Sequence, residues 1–285
     1  MVQEVVRFLG GRRVVIDMTV GAGGHAAALL DAGVERVIGV DRDPSALERA
    51  SGRLAGFDDR FSAVRARFSE VPENLPRGIT ESDGVLYDLG VSSMQLEDPE
   101  RGFGYRVAGP LDMRMNPDER MSAKDLVNRA SEEELLRLLR GFGEERYAGR
   151  IARAIVRARA RRPIETTDEL ARVVAAAVGR RRGHPHPARR TFQALRIAVN
   201  RELEELAASL PRAASFLAPG GRIVVIAYHS LEDRIVKRFL SGEETLTVLT
   251  KKPLRPTASE VERNPRARSA RLRAAERAAV EADAA

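Results

Sequence analysis

The chain has 285 residues, 43% of them hydrophobic, which is enough for one large domain or two small ones around a real core. It has no cysteine, so we expect no thiolate chemistry. It has no apolar run long enough to cross a bilayer and no basic N-terminus followed by an apolar stretch, so we expect no membrane span and no secretory signal. We therefore expect a cytoplasmic location. The net charge is +7, and residues 137–196 alone hold 16 Arg, no Lys and 5 acidic residues, which favours a polyanion such as nucleic acid as partner over a merely solvated helix face.

Short apolar runs and helical segments alternate in the first third of the chain. In chain order, the predicted elements are residues 14–16 (strand), 26–30 (helix), 36–40 (strand), 44–54 (helix), 61–64 (strand) and 84–87 (strand). Such alternation is typical of a parallel sheet that helices cover on both faces.

The pattern changes after this region. Residues 89–118 are rich in Gly, Pro, Ser and Asp and predict a long loop, which in a compact domain is usually functional. Residues 122–182 look helical throughout, and one long helix is predicted from Thr191 to about Phe216.

Strand character returns in the last third of the chain. The predicted strands there are residues 221–227, 245–250 and 269–276. We therefore predict an α/β fold with a helical insert, in which residues 1–107 and 196–285 form the sheet domain and residues 108–195 form the insert.

A glycine-rich turn, Asp17–His25, follows the first predicted strand and opens the first helix. Glycines let the backbone approach a ligand closely, and a helix N-terminus favours negative charge. Asp41 ends the second strand, where an acid can accept hydrogen bonds from both ribose hydroxyls of a nucleoside. The alternative is a tight turn with a capping aspartate. Because an acid stands four residues before the first glycine, the spacing is similar to the first motif of S-adenosylmethionine (SAM) methyltransferases rather than to the NAD pattern.

Several segments together resemble the bacterial small-subunit ribosomal RNA methyltransferase H (MraW) family. They run in the family's order and are residues 19–25, 88–96, 101–103, 109–115, 143–146, 190–197, 229–234 and 264–269. The chain departs from the family's pattern at Met94, where Pro is usual, and at Tyr228, where Phe is usual. The family's usual N-terminal His-x-Pro-Val segment is absent from the sequence, which leaves open two interpretations: this chain lacks any ligand contact that the segment makes, or translation begins at an alternative start site.

The resemblance implies a class I SAM-dependent methyltransferase fold, which is a Rossmann-like, mostly parallel sheet, with an inserted all-helical domain. It also implies methyl transfer from SAM to the exocyclic N4 of a cytidine in 16S rRNA near the decoding centre, with no metal. The partner would be 16S rRNA within the small ribosomal subunit. The resemblance leaves open whether the chain forms a homodimer. Carried over residue by residue, the SAM contacts are Gly23, Gly24, His25, Asp41, Phe68, Asp88 and Gln95.

Two residues are candidates for the chemistry. A cytosine N4 amine is a poor nucleophile because its lone pair is conjugated with the ring, so the reaction needs alignment and an acceptor for the amine hydrogen. Asp88 ends a central strand, where ligands bind in such sheets, and His229 follows a strand that we expect beside it. For His229, a buried or capping role is the alternative. Ser92, Ser93 and Asp112 lie on the long loop and could orient the base.

Aromatic and basic side chains are candidates for contact with RNA. Phe103 and Tyr105 could stack on an exposed or flipped base, with local core packing as an equal alternative. A basic stripe at helical spacing is formed by Arg146, Arg150, Arg153, Arg157 and Arg161. We expect this stripe to face outward and contact phosphates, while an apolar stripe that includes Ile151 and Ile155 packs inward.

Two rival functions remain open at this point. One is a SAM-dependent enzyme acting on a small molecule or a protein, which would not need the basic insert. The other is a non-catalytic RNA-binding or assembly factor, which would not need an intact glycine-rich turn with Asp41 and Asp88.

Overall fold

The computed structural model describes residues 1–71, 73–179 and 186–279. The strands are β1 (Val14–Asp17), β2 (Arg36–Asp41), β3 (Phe61–Arg65), β4 (Ser82–Asp88), β5 (Leu217–Ala227), β6 (Leu246–Val248) and β7 (Arg271–Arg277). The helices are α1 (Val2–Leu9), α2 (Gly24–Asp31), α3 (Pro44–Leu54), α4 (Ser93–Glu97), α5 (Ala123–Arg129), α6 (Glu132–Gly141), α7 (Ala148–Arg159), α8 (Thr167–Val178), α9 (Arg189–Asn200), α10 (Glu202–Ser215), α11 (Ser230–Gly242) and α12 (Ala258–Arg263). Within the described ranges, none of these helices combines the length and apolarity that crossing a bilayer requires.

The strands form one seven-stranded sheet in the order β3-β2-β1-β4-β5-β7-β6. Strands β1 to β5 pair in parallel, whereas β7 runs antiparallel to both β5 and β6. This order, with its antiparallel β7, is the arrangement of class I SAM-dependent methyltransferases. The predicted fold class is therefore confirmed.

Side chains from successive strand positions pack into two separate apolar clusters. Along β4, Val85 and Tyr87 belong to one buried cluster and Leu86 belongs to the other. Because side chains alternate across a strand, this division means that both faces of the sheet are covered. The near-continuous apolar runs of these strands reflect that double burial.

The chain divides into two compact units. The first, here called the sheet unit, comprises Met1–Gly90 and Leu203–Ala285, and the second, the helical unit, comprises Val91–Glu202. The helical unit thus extends beyond the predicted insert of residues 108–195 at both ends. The physical reason is burial, since Phe103 and Val199 both pack in the apolar core of the helices.

Two local predictions were wrong. The single long helix predicted from Thr191 to Phe216 is two helices, α9 and α10, because Arg201 adopts a left-handed backbone with φ of 49°. The predicted loop of residues 89–118 contains α4, which is closed at its start by reciprocal hydrogen bonds between Ser92 and Gln95. The predicted linker at residues 183–187 lies mostly outside the described residues.

Asn200, the last residue of α9, holds part of the loop that follows α4 in the helical unit. Its side-chain carbonyl accepts a hydrogen bond from the Met115 backbone N–H at 2.7 Å, and its amide donates to the Met113 carbonyl at 2.7 Å and to the Arg196 carbonyl at 2.9 Å. Asn200 is buried, as are both methionines. Asn200 thus supplies hydrogen-bond partners to the Met113 carbonyl and the Met115 N–H, which are buried.

We expect Asn200→Ala to lower the free energy of unfolding by about 2–4 kcal/mol, because it leaves a buried N–H and a buried carbonyl without partners. Urea denaturation measures this loss. The matched control is Asn74→Ala, which removes an exposed amide bonded to the Glu70 carbonyl and should change stability by less than about 0.5 kcal/mol. Equal losses in the two variants would contradict the role given to Asn200.

Candidate active site

Four parallel strands end at one edge of the sheet. Asp17, Asp41 and Asp88 are the last residues of β1, β2 and β4, and Tyr228 directly follows β5. The carboxyl ends of the strands are where ligands bind in open α/β sheets. The structure therefore brings Asp41 and Asp88, predicted from separate motifs, to the same edge.

The turn between β1 and α2 requires glycine at one position and leaves space at the next. Gly23 caps α2 with φ of 75°, and a β-carbon there would lie 3.1 Å from Cδ1 of Leu54. Both the backbone and the packing therefore require glycine at this position. A β-carbon on Gly24, by contrast, would meet no atom within 4 Å. The turn thus presents an open side on which a ligand can lie against the backbone.

Asp41 connects the glycine-rich turn to the end of β2. One carboxylate oxygen, Oδ2, accepts from the Gly21 N–H at 3.0 Å, and the other, Oδ1, accepts from the Asp43 N–H at 3.0 Å. Burial raises the pKa of Asp41, although these two backbone donors work against the rise. A carboxylate has about four acceptor positions, so both oxygens keep capacity for a further donor such as a ribose hydroxyl.

Asp88 is held by three groups. Its backbone N–H donates to Oγ1 of Thr19 at 2.6 Å, which ties the end of β4 to the glycine-rich turn. Its Oδ1 accepts from the Tyr228 hydroxyl at 2.9 Å, and its Oδ2 lies 3.3 Å from Nε2 of His25. The carboxylate is 27% exposed, so it is oriented by protein groups and still accessible.

Asp17 and His25 each carry a buried polar atom without a hydrogen-bond partner within the described residues. Oδ1 of Asp17 accepts from the Thr19 N–H at 3.2 Å, but Oδ2 of Asp17 has no donor. Nδ1 of His25 likewise has no hydrogen-bond partner among these residues. Burial raises the pKa of Asp17 to about 7. Burial lowers the pKa of His25, but the neighbouring carboxylates of Asp88 and Asp17 outweigh it and the net direction is upward.

These two unpartnered atoms fit a ligand that brings its own polar groups. Buried polar groups are normally hydrogen-bonded, so an exception calls for an explanation such as a binding role. SAM carries an ammonium group and ribose hydroxyls, which are donors that suit the unpartnered oxygen of Asp17 and the remaining acceptor positions of Asp41. The open side of Gly24 lies in the same turn. The residues at this edge therefore fit SAM.

Phe68 and Gln95, the other two predicted SAM contacts, lie in different units. Phe68 opens a short 3₁₀ turn after β3 and meets the Tyr87 ring edge-on, with ring centres 5.9 Å apart. The Arg42 guanidinium lies 5.3 Å from the centre of the Phe68 ring. Gln95 belongs to the helical unit, where it is buried in α4 and its side chain accepts from the Ser92 N–H at 3.1 Å.

His229 occupies the N-cap of α11, next to the end of β5. Its Nδ1 accepts from the Glu232 backbone N–H at 3.3 Å, while a carboxylate oxygen of Glu232 accepts from the His229 backbone N–H at 3.2 Å. This reciprocal pair is a capping box. The structure thus gives His229 the capping role that was the alternative to chemistry, and a part in the reaction stays a prediction.

The loop residues predicted to touch the base are largely engaged within the helical unit. Phe103 is 6% exposed and belongs to the apolar core of that unit, which supports the packing alternative. Tyr105 is partly exposed and stacks on His186 with ring centres 4.8 Å apart. Asp112 forms a two-pronged ion pair with Arg114, which with its hydrogen bonds outweighs burial and lowers the pKa of Asp112.

The basic stripe is exposed along α7. Arg150, Arg153 and Arg157 lie on the helix, with Arg146 before it and Arg161 after it, and all five side chains are exposed. Among the described residues none of the five has a carboxylate partner. On the opposite face of α7, buried residues include Ile151 and Ile155. The two stripes therefore face as the sequence spacing predicted.

Residues 1–278 match the MraW methylase family. The chain belongs to this family. Two relatives carry the name ribosomal RNA small subunit methyltransferase H: that of Heliobacterium modesticaldum is 49% identical over 93% of this chain and 92% of its own, and that of Sorangium cellulosum is 52% identical over 93% and 84%. A solved rRNA methylase from Streptococcus thermophilus aligns over 97% of this chain and 93% of its own, with 10% identity and a TM-score of 0.45. The predictions of the family, of a methyltransferase and of SAM as its cofactor are confirmed.

Sequence reasoning did not include Asp17 among the candidate site residues of this methylase. The signal was present, because Asp17 is the acid four residues before the first glycine of the turn. It was used to classify the motif but not to assign a contact. Only the structure shows that one oxygen of this buried carboxylate has no donor.

We expect Asp17→Asn to change the pH dependence of stability. Burial raises the pKa of Asp17 to about 7 in the folded protein, above the usual value near 4, so the native state favours the protonated form. The stabilisation is therefore complete below about pH 4 and is lost as the pH rises to about 7. Relative to wild type, Asp17→Asn should gain stability between pH 5 and pH 8, by up to about 1.4 kcal/mol per pH unit. Urea denaturation without SAM at both pH values measures the difference.

Asp233→Asn provides the control for this titration. Asp233 is paired with Arg273 and Arg271, and these arginines outweigh burial and lower its pKa. The contribution of Asp233 to stability is thus constant from pH 5 to pH 8, so Asp233→Asn should lose the same free energy of unfolding at pH 5 and at pH 8. If the difference in stability between Asp17→Asn and wild type is also independent of pH, Asp17 is ionised over the whole range from pH 5 to pH 8.

Proposed function

We propose that this chain methylates the exocyclic N4 of a cytidine in 16S rRNA, near the decoding centre of the small ribosomal subunit, with SAM as methyl donor. Family membership and the names of its relatives support methylation of small-subunit rRNA. The observation that carries the chemistry is the accessible Asp88 carboxylate, oriented by Tyr228 and His25 at the carboxyl edge of the sheet. Such an enzyme would act in the cytoplasm, where small subunits are assembled.

Most of the residues that would hold SAM lie along that edge of the sheet unit. SAM supplies a methyl group on a positively charged sulfonium. Asp41 would accept from the ribose hydroxyls, and the turn at Gly23 and Gly24 would let the cofactor approach the backbone. Asp17 would add an acceptor for the ammonium group. His25, Phe68 and Asp88 complete the proposed set in the sheet unit, and Gln95 of the helical unit is included because the resemblance implies it.

Asp88 would also orient the substrate amine. The N4 amine of cytosine needs its lone pair turned out of conjugation with the ring, and an acceptor for one N–H holds it in that orientation. After transfer the same carboxylate can take the proton that the amine loses. Because its two oxygens already hold one donor each, they have one acceptor position each left for this work.

The basic stripe of α7 would bind the RNA backbone. Arginine is well suited to phosphate because its planar guanidinium offers several donors in a fixed arrangement. Arg150, Arg153 and Arg157 present three such groups along one exposed face without a carboxylate partner in the described residues. Contacts of this kind position an RNA without reading its sequence.

Mapping of the methylated nucleoside tests the proposal. Small subunits from a strain that lacks the activity are incubated with labelled SAM and the protein, digested to nucleosides and analysed. The expected product is labelled N4-methylcytidine at one position of 16S rRNA. Label in another nucleoside, in a ribosomal protein or only in a small molecule would contradict the proposed substrate. Extracted 16S rRNA in a parallel reaction shows whether the assembled subunit is required.

We expect Asp88→Ala to lower kcat about 100-fold or more, because an acceptor in contact with the reacting amine is removed, and to weaken SAM binding as well. His229→Ala should lower kcat less. His229→Asn should recover most of that loss, because Asn is also a strong N-cap. Turnover with labelled SAM and thermal unfolding of each variant provide the measurements. Loss of turnover in a stable His229→Asn variant would assign the imidazole a direct chemical role.

We expect the triple variant Arg150→Gln, Arg153→Gln and Arg157→Gln to bind small subunits or rRNA more weakly and with less dependence on salt. Each phosphate contact contributes about 0.7 to the slope of log K against log salt for single strands, so the slope should fall by about 2. SAM affinity should be unchanged. Filter binding over a range of salt concentrations and calorimetry measure the two quantities.

A control with the same change of charge exists in the helical unit. Arg129, Arg162 and Arg172 are exposed but each is paired with a carboxylate, so their replacement by Gln should leave the salt slope close to that of wild type. Equal effects of the two triple variants would show that the basic stripe acts only through net charge.

A further inference from the structure

Tyr228 places a phenol hydroxyl on one oxygen of Asp88. It directly follows β5, and Ile226 of that strand pairs in register with Asp88 of β4. The hydroxyl donates to Oδ1 of Asp88 at 2.9 Å. The ring also lies beside the backbone turn at Gly90, where a β-carbon would be 3.6 Å from Cδ2 of Tyr228. The tyrosine thus connects the ends of two neighbouring parallel strands at the candidate active site.

Towards Asp88, the Tyr228 hydroxyl acts as a donor. Burial raises its pKa, and the negative charges of Asp88 and Glu232 raise it further. The phenol therefore stays protonated throughout the pH range in which an enzyme works. It cannot serve as a base, and its proton points to the Asp88 carboxylate.

The carboxylate is consequently held from two sides. Tyr228 donates to Oδ1, and Nε2 of His25 lies 3.3 Å from Oδ2. Rotation of the carboxylate about its bond to Cβ would break both contacts, so its plane is fixed. The acceptor positions that remain on each oxygen then have defined directions.

We propose that Tyr228 is a positioning residue for methyl transfer: its hydroxyl fixes the plane of the Asp88 carboxylate and thereby the directions of its remaining acceptor positions. The proposal rests on the proposed function, in which Asp88 accepts from SAM and from the substrate amine. Phe, which is usual at this position in the family's pattern, has no hydroxyl and could not do this.

Tyr228→Phe tests this role, because it removes one oxygen atom and keeps the ring. SAM affinity is measured by calorimetry without RNA, and kcat and KM for small subunits are measured at the same pH. We expect kcat at pH 7 to fall about 3- to 10-fold with an unchanged KM for the subunit, because the acceptor is misaligned but the RNA contacts are untouched. SAM affinity should fall as well, because Asp88 accepts from SAM in the proposed site.

Tyr87→Phe is the matched control. It also removes a buried phenol hydroxyl, from the neighbouring strand β4, but this hydroxyl bonds to Ser209 and not to Asp88. The control should lose stability and leave kcat and SAM affinity close to those of wild type. Wild-type kcat and SAM affinity in Tyr228→Phe, or equal losses in both variants, would overturn the positioning role.

The two measurements separate this proposal from the proposed function. Weaker SAM binding by Tyr228→Phe, together with a wild-type protein that does not methylate cytidine, would support the role of Tyr228 and overturn the substrate. N4-methylation by both proteins with identical kcat and SAM affinity would support the substrate and overturn the role of Tyr228.

Discussion

Three carboxylates lie at one edge of the sheet, and the rest of the sheet unit has to supply the hydrogen-bond donors that stabilise them. Asp17, Asp41 and Asp88 end adjacent strands, and the charges of the other two raise the pKa of Asp17. Burial is the largest cause of the raised pKa at Asp17 and at Asp41. The turn, α2 and the residue after β5 each direct a donor to one of these groups. The glycine-rich turn is thus as much a source of backbone N–H groups for the protein's own acids as a surface for a ligand.

The donors satisfy these acids only in part, and the shortfall has a stability cost. Asp41 receives two backbone N–H groups, whereas one oxygen of Asp17 receives none. A buried group without a partner costs about 1–3 kcal/mol. Sites of this kind exchange stability for function, because a ligand that supplies the missing donor recovers the energy on binding. By the same reasoning, Asp17→Asn is expected to gain stability relative to wild type as the pH rises from 5 to 8, yet it removes a group from the proposed cofactor site.

Local sequence patterns predicted the features that depend on periodicity. They failed where backbone conformation or contacts distant in sequence determine the structure. The strands and the Asp41 and Asp88 positions followed from short apolar runs that end in an acid. The continuous helix from Thr191 to Phe216 was wrong because apolar spacing carries on through Arg201, whereas the break is a matter of backbone conformation. The burial of Phe103 likewise depends on helices distant in sequence. Whether the residues assigned by resemblance touch SAM stays a prediction.

The sheet unit is discontinuous in sequence, whereas the helical unit is one uninterrupted segment, Val91–Glu202. Pairing of β4 with β5 must therefore close a loop that contains the whole helical unit, and the entropy lost on closure grows with the number of flexible residues. Contacts within the helical unit are closer in sequence and form faster. During synthesis the helices can thus become ordered before β5 leaves the ribosome, which shortens the flexible part of the loop. The insert would then become ordered before the sheet and assist pairing of β4 with β5. This role in folding would precede any contact with RNA.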